Sequence, residues 1–455
     1  MGNLFRLAAP VAAAAMLSAL YNLVDAFWLG RWSKEALAAP GVCGPFFFFT
    51  VAFGMGLAQA GTAMVAQYTG ARQHRQADRA AAQVVLMLFA VSAAMAAPMV
   101  AFAPSLLRLA QVPPEVAPKA AIYLRILMVG LPINALTFAY GGVLRALGDT
   151  VTVLLIVGFT NALNFILDPI MIFGWLGVPA MGVGGAALAT LISQLVGTLI
   201  CYVLVRRQHA GLHIEPGDLR PDWPLIRKAL AIGLPVAVSN SADSIGFGVF
   251  QAMINSMGTT VIGAFTVGFR VIHFFNVPTQ ATAMAAAPVV GQALGAGKPR
   301  LARRAVLMAA GLVAGVMFVP LGLLIWQGQA IARAFINDPG VVAEARRFFY
   351  IVPASTYFFG VLATLMAAFY GSGHTRPAMV VSVIRVWFVR LPAGYLLGFV
   401  LGWGSMGVYT GMVVGNIVGA LLAFWFFMLG GWQRAVVPTP GGEPEAGGTT
   451  PGSTQ

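Results

Sequence analysis

Charged side chains are scarce in this sequence. They make up 9% of its 455 residues, against roughly a quarter in an ordinary soluble domain, while 59% are hydrophobic. That balance excludes a soluble globular enzyme and a disordered chain alike. Cysteine is nearly absent: Cys43 and Cys201 both fall inside apolar runs, so neither a disulfide framework nor a metal cluster is expected. Acidic residues are few, 14 against 27 basic ones. The basic residues are scattered over short loops rather than gathered in one stripe, which argues for membrane topology and against nucleic-acid binding. There is no phosphate-binding loop G-x-x-x-x-G-K-[ST], no metal-ligand spacing among the five His and no nucleophile elbow. Neither ATP hydrolysis nor any other enzymatic activity is expected, and no cofactor.

What the chain has in abundance is long apolar runs. A bilayer-crossing helix needs about 20 mostly apolar residues. Read against turn and charge punctuation, the runs predict twelve spans, at about 8–30, 41–66, 81–104, 119–142, 149–175, 182–205, 229–254, 261–288, 304–326, 346–370, 378–402 and 406–430. The expected fold is an all-α polytopic membrane protein: a six-helix bundle over 1–205, a cytoplasmic linker over 206–228, a second six-helix bundle over 229–430 and a disordered cytoplasmic tail over 431–455, rich in Pro, Gly and Thr. With the N-terminus inside, cytoplasmic segments hold sixteen Lys and Arg and outer segments eight, which places both termini in the cytoplasm. Arg6 followed by apolar Ala8 to Leu20 could be taken for a signal peptide.

The two bundles read as copies. A shift of 225 positions matches Pro10-Val11-Ala12 to Pro235-Val236-Ala237, and Val65, Gln67, Gly70 and Ala71 to Val290, Gln292, Gly295 and Ala296. It also pairs Arg79-Ala80 with Arg304-Ala305, Gly148 and Thr150 with Gly373 and Thr375, and Met181-Gly182-Val183 with Met406-Gly407-Val408. Six spans per copy make both enter the membrane in the same direction, related by a pseudo-twofold axis along its normal around a central cleft. The first span has a copy deep in the chain, so it reads as part of the fold and not as a leader. Gly70, Gly148, Gly295 and Gly373 are expected to stop helices at tight turns.

Three acidic residues lie inside spans: Asp25, Asp168 and Asp243. Each would cost about 2.5–3.5 kcal/mol at mid-membrane and so needs a partner, a proton or a wet cavity. Tyr21, Asn22 and Asp25 share a broad helix face. Asn161, Asn164 and Asp168 form a polar stripe at i, i+3 and i+7, beside a kink expected at Pro169. This constellation could hold a proton or a small cation; simple hydrogen bonding to neighbouring helices is the alternative. The positions 225 away from Asp25 and Asp168 are Phe250 and Ala393, so the acids belong to the first half alone. Asp243, whose copy is Ser18, is a secondary candidate together with Arg385 and Arg390. Those two arginines are five apart, so on an α-helix they point in different directions; they could pair with Asp243, bind headgroups or snorkel. Phe27, Trp28, Phe46 to Phe49 and Phe274-Phe275 offer aromatic surface, most of it expected to pack against lipid.

The segments Leu20-Tyr21-Asn22-Leu23-Val24-Asp25, Val65-Ala66-Gln67-Tyr68-Thr69-Gly70-Ala71, Arg145-Ala146-Leu147-Gly148-Asp149-Thr150 and Asn164-Phe165-Ile166-Leu167-Asp168-Pro169 resemble the multidrug and toxic compound extrusion (MATE) family over about residues 1–430. Arg385 and Arg390 resemble its DinF-like branch. The resemblance implies export of organic, often aromatic, cations in exchange for H⁺ or Na⁺. It implies a coupling site, with Na⁺ as a possible metal, at Asp25, Asn164 and Asp168 with Thr190, and bending of the first helix at Pro10. NorM-like members carry an acid ten residues after the Gly of a G-x-P, where Gly233-Leu234-Pro235 places Asp243; the tenth-span acid of those members is missing from Phe358 to Tyr370. A lipid-linked oligosaccharide flippase of the same superfamily is the alternative. The expected partners are small organic cations and the lipid bilayer, the expected state a monomer, and the expected location a bacterial inner membrane. An Arg to Lys ratio of 23 to 4 fits a GC-rich bacterial genome.

Overall fold

The computed structural model describes residues 2–110, 112–207, 211, 213–335 and 338–438. Among the described residues it contains twelve long helices and no strand. They are α1 (Gly2–Trp32), α2 (Lys34–Gly70), α3 (His74–Ala101), α4 (Ala117–Ala146), α5 (Thr150–Phe173), α6 (Val183–Arg206), α7 (Trp223–Asn255), α8 (Thr259–Gly295), α9 (Pro299–Phe335), α10 (Pro339–Ser372), α11 (Arg376–Val400) and α12 (Ser405–Leu429). Ten of these are long and apolar enough to cross a membrane outright; α1 and α7, copies of one another, are not among them. Four of the scarce polar residues start helices: Ser33, Asp149, Asp222 and Asp338 accept from the backbone N–H three positions on, at 2.9–3.3 Å.

Packing repeats with the sequence. In the first half α1 lies on α5, α2 on α3 and α4, α4 on α3 and α6, and α5 on α6; in the second, α7 lies on α11, α8 on α9 and α10, α10 on α9 and α12, and α11 on α12. The turns after α2 and α8 are closed by the same three bonds 225 positions apart. Ala71 N donates to Gln67 O, Arg72 N to Thr69 O and Gln73 N to Tyr68 O; Ala296 N, Gly297 N and Lys298 N do the same to Gln292, Leu294 and Ala293. The left-handed residue of each turn is Arg72 (φ 61°) or Gly297 (φ 68°).

The halves meet at the end of the molecule that carries these basic turns. Gln67 Nε2 donates to the carbonyls of Gly371 (3.0 Å) and Ser372 (2.9 Å), and its copy Gln292 donates to Ala146 O (2.7 Å), the copy of Gly371. A Cβ at Gly70 would run into the Gln292 carbonyl, and one at Gly295 into that of Gln67. Gly148 (φ 90°) and Gly373 (φ 77°) stop helices as the sequence suggests, whereas Gly70 and Gly295 are small because the opposite half presses on them. One hydrophobic cluster crosses the halves here, joining Leu57, Tyr68 and Val84 to Ile226, Ile232 and Ala237. At the opposite end, the cluster around Leu29, Cys43 and Leu124 stays in the first half and that around Phe265, Phe348 and Tyr409 in the second.

The connection between the halves is shorter than 206–228, because α7 begins at Trp223. It is strapped to α3: Arg75 reaches Asp218 at 2.6 Å, and the Gln83 side chain donates to Asp218 O and Arg220 O and accepts from Asp222 N. The expected tail also begins later. Gly431–Gln433 forms a helical turn, Trp432 and Val437 are buried, and Val436 N donates to Gln67 Oε1 at 2.8 Å. Apolar side chains in this stretch find a hydrophobic floor that composition alone does not show. Residues 439–455 lie outside the described residues.

Candidate functional site

Helices α1, α5 and α6 bring the first-half polar residues together. Tyr21 Oη is hydrogen-bonded to Thr190 Oγ1 at 2.8 Å. Asn164 Nδ2 donates to Asp168 Oδ1 at 3.2 Å and reaches Thr190 Oγ1 at 3.5 Å. Asp168 and Asn164 are 0% and 2% exposed, and Asp25 is half-buried. The α5 stripe holds this face although the helix continues unbroken through Pro169, which shows no break where a kink was expected. The Asn22 side chain lies outside the described residues. Pro10 is half-buried within α1, which runs through it as helix.

Three buried oxygens of this cluster have no hydrogen-bond partner: Asp25 Oδ1, Asn164 Oδ1 and Asp168 Oδ2. Asn161 Nδ2 is likewise unpartnered. Among the described residues no ion pair reaches either carboxylate. Buried oxygens left without a donor are uncommon. A set of three, two of them on carboxylates with no counter-charge, suits a proton or a small hard cation held by oxygen. No grouping of three His, Cys, Asp or Glu residues with metal-ligand geometry occurs among the described residues.

An aromatic cluster adjoins the acids. Trp28, one helical turn from Asp25, meets Phe27, Phe165, Phe173 and Trp175 with ring centroids 5.1–6.4 Å apart. Phe173 and Trp175 were not singled out from the sequence; they sit at a helix end, where aromatics are ordinary in membrane proteins.

The second half carries the opposite polarity. Arg385 donates to Asp243 Oδ1 at 2.7 Å and to Asn416 Oδ1 at 3.0 Å, and Asn416 Nδ2 in turn holds Ser355 Oγ at 2.8 Å. Arg390 lies over the Phe250 ring at 4.3 Å, with Nε and one terminal nitrogen unpartnered. The two arginines do not point apart as expected for an α-helix. Residues Ile384–Arg390 form a π-helix, whose i→i+5 bonding brings residues five apart close to the same face, and both side chains are buried. A cavity of roughly 440 Å³ between the halves is lined by Gln59, Asn240, Asp243, Gln280, Tyr370 and Arg385 among others, and by neither Asp25 nor Asp168.

A family model described as MatE matches residues 10–170 and again 235–396, two segments whose starts are offset by 225. The chain is 26% identical over 441 residues to a "Probable multidrug resistance protein NorM" of Thermotoga maritima, covering 96% of this chain and 94% of that protein. It is 24% identical to a "FAD transporter" of Shewanella oneidensis, covering 89% of each. A crystal structure of MATE in the straight conformation superposes with a TM-score of 0.86 at 25% identity, covering 94% of this chain and 95% of that one.

Proposed function

The chain belongs to the MatE family of membrane transporters, and we propose that it is a secondary antiporter that expels organic cations in exchange for H⁺ or Na⁺. The multidrug-resistance relatives support efflux of small molecules. The observation that carries the coupling is the set of unpartnered oxygens on Asp25, Asn164 and Asp168. Two carboxylates whose charges repel hold an extra positive charge readily, and that charge is either the driving ion or the substrate.

Exchange follows from this competition. With both acids ionised, the first-half site attracts a lipophilic cation, and Trp28 with its aromatic neighbours offers it ring faces. Loading of an ion from outside removes that attraction and alters the hydrogen bonds around Asp25, and α1 bends at Pro10. Moving one charge across 100 mV is worth about 2.3 kcal/mol, so one proton for one monovalent cation is electrically silent and a second proton would add the membrane voltage. The excess of basic residues at the joined end supports a cytoplasmic side for that end and both termini, and the bacterial relatives support an inner membrane. The protein then acts as a monomer.

The flippase alternative is weaker: a pyrophosphate headgroup needs a strongly basic cavity, and the inter-half cavity pairs its Arg385 with Asp243. The test is uptake of a fluorescent cation by proteoliposomes under an imposed pH or sodium gradient. Wild type should transport under at least one gradient, and Asp25→Asn should abolish the gradient-driven component. Transport by Asp25→Asn at wild-type rates with unchanged ion dependence contradicts the scheme.

A further inference from the structure

A second cavity, of roughly 520 Å³, opens at the joined end of the second half, far along the chain from both acids. Its basic lining is Lys228 at the start of α7, His374 in the turn before α11 and Arg376 at the start of α11; no acidic residue lines it. Its remaining wall is apolar and aromatic, chiefly Phe369, Phe426 and Trp432. Among the described residues neither Lys228 nor Arg376 has a hydrogen-bond or ion-pair partner, and His374 Nδ1 is buried without one. Every lining segment is a helix start, a helix end or a turn, which fixes the depth of the cavity at the membrane interface.

We propose that this pocket binds the phosphate group of an anionic amphiphile, with Lys228, Arg376 and His374 facing the phosphate and the Phe369, Phe426 and Trp432 wall taking the start of its apolar tail. Basic pockets between helices at the cytoplasmic face recognise lipid headgroups by this combination of charge and apolar contact. Burial, and then the neighbouring Arg434, hold the His374 imidazole below its ordinary range, as expected for a basic site awaiting an anion.

Occupancy would also bear on transport. Thr375 Oγ1 donates to Ile232 O at 2.6 Å, Val436 lines the pocket, and Val436 N is bonded to Gln67. An amphiphile lodged there braces the segment that supports the Gln67 clamp, and so favours the form closed at this end.

The test uses the full-length protein, delipidated in neutral detergent. Its thermal unfolding is titrated with short-chain phosphatidylglycerol, with phosphatidylcholine of the same chain length, and with inorganic phosphate. The anionic lipid should raise the unfolding temperature saturably, phosphatidylcholine should not, and the Lys228→Gln/Arg376→Gln double variant should need at least tenfold more anionic lipid. Equal half-saturation in wild type and variant, or equal protection by phosphatidylcholine, overturns the site. Equal protection by inorganic phosphate overturns the amphiphile and leaves free phosphate as the ligand. A variant-free readout guards against misfolding: NMR titration of the His374 imidazole in wild type should move to higher pH with anionic lipid bound, and an unmoved titration overturns the proposal.

Discussion

Asp243 and Arg385 form an ion pair whose two partners are unequally placed. Arg385 is 4% exposed, whereas the Asp243 side chain is 37% exposed to the inter-half cavity. Removing one partner of a buried pair is costly because the other is left uncompensated. Asp243→Asn strands the buried guanidinium and should destabilise the protein by up to about 3 kcal/mol. Arg385→Gln leaves a carboxylate that water can reach and should cost less. Thermal unfolding of both variants in one detergent checks the order; a larger loss from Arg385→Gln would refute it. At this scale the first-half site was legible, because Asn161, Asn164 and Asp168 recur on one face of an apolar helix and intramembrane acids stand out. The arginine pair was not: a spacing of five has no meaning until the helix type is known.

Among the elements, α11 departs from its copy α5 in helical pitch. α5 is a regular α-helix up to Gly174, while α11 contains π-turns over Ile384–Arg390 and Leu396–Val400. The wider turns carry the arginine backbones and stems against small residues of α12. A Cβ at Gly415 would come 2.7 Å from the Arg390 Cβ, and one at Gly419 would come 2.6 Å from the Arg385 Cδ. Gly415→Ala therefore overpacks this contact and should cost about 1–3 kcal/mol. Gly411 is pressed by the Gly394 backbone in the same way, whereas Gly311 has open space around it and Gly311→Ala should be nearly neutral or slightly stabilising. Parallel unfolding curves for Gly415→Ala and Gly311→Ala test the contrast. Helix existence was readable from hydropathy and the stops at Gly148 and Gly373 from glycine; the π-turns were not, since they answer to the close face of α12.

For the molecule as a whole, the crossed glutamines tie the two halves together at the joined end. Gln67 donates two bonds to the opposite half and accepts one from Val436, and Gln292 supplies the reciprocal bond to Ala146. At about 1 kcal/mol per bond, losing all three in Gln67→Ala should weaken closure by roughly 3 kcal/mol, about 150-fold in the balance between forms. A Ser372→Cys reporter, buried at this seam, should react faster with a membrane-impermeant maleimide when Gln67→Ala is added. Native Cys43 and Cys201 are both buried and should contribute little background. Unchanged labelling would show that the glutamines do not control closure.

Composition and the 225-residue repeat determined by themselves that the chain is a duplicated, membrane-spanning helical protein, because apolar run length and a constant offset survive any detail of packing. The acids of the first half were likewise marked out, since lipid makes an unneeded carboxylate expensive. Only the tertiary structure decided how the copies diverge: that Arg385 meets Asp243, that Gly70 and Gly295 admit the opposite half, and that the segment after α12 folds back onto Gln67. Each of these depends on a neighbour more than 140 positions away or on a change of helical pitch, and neither leaves a periodic signal along the chain.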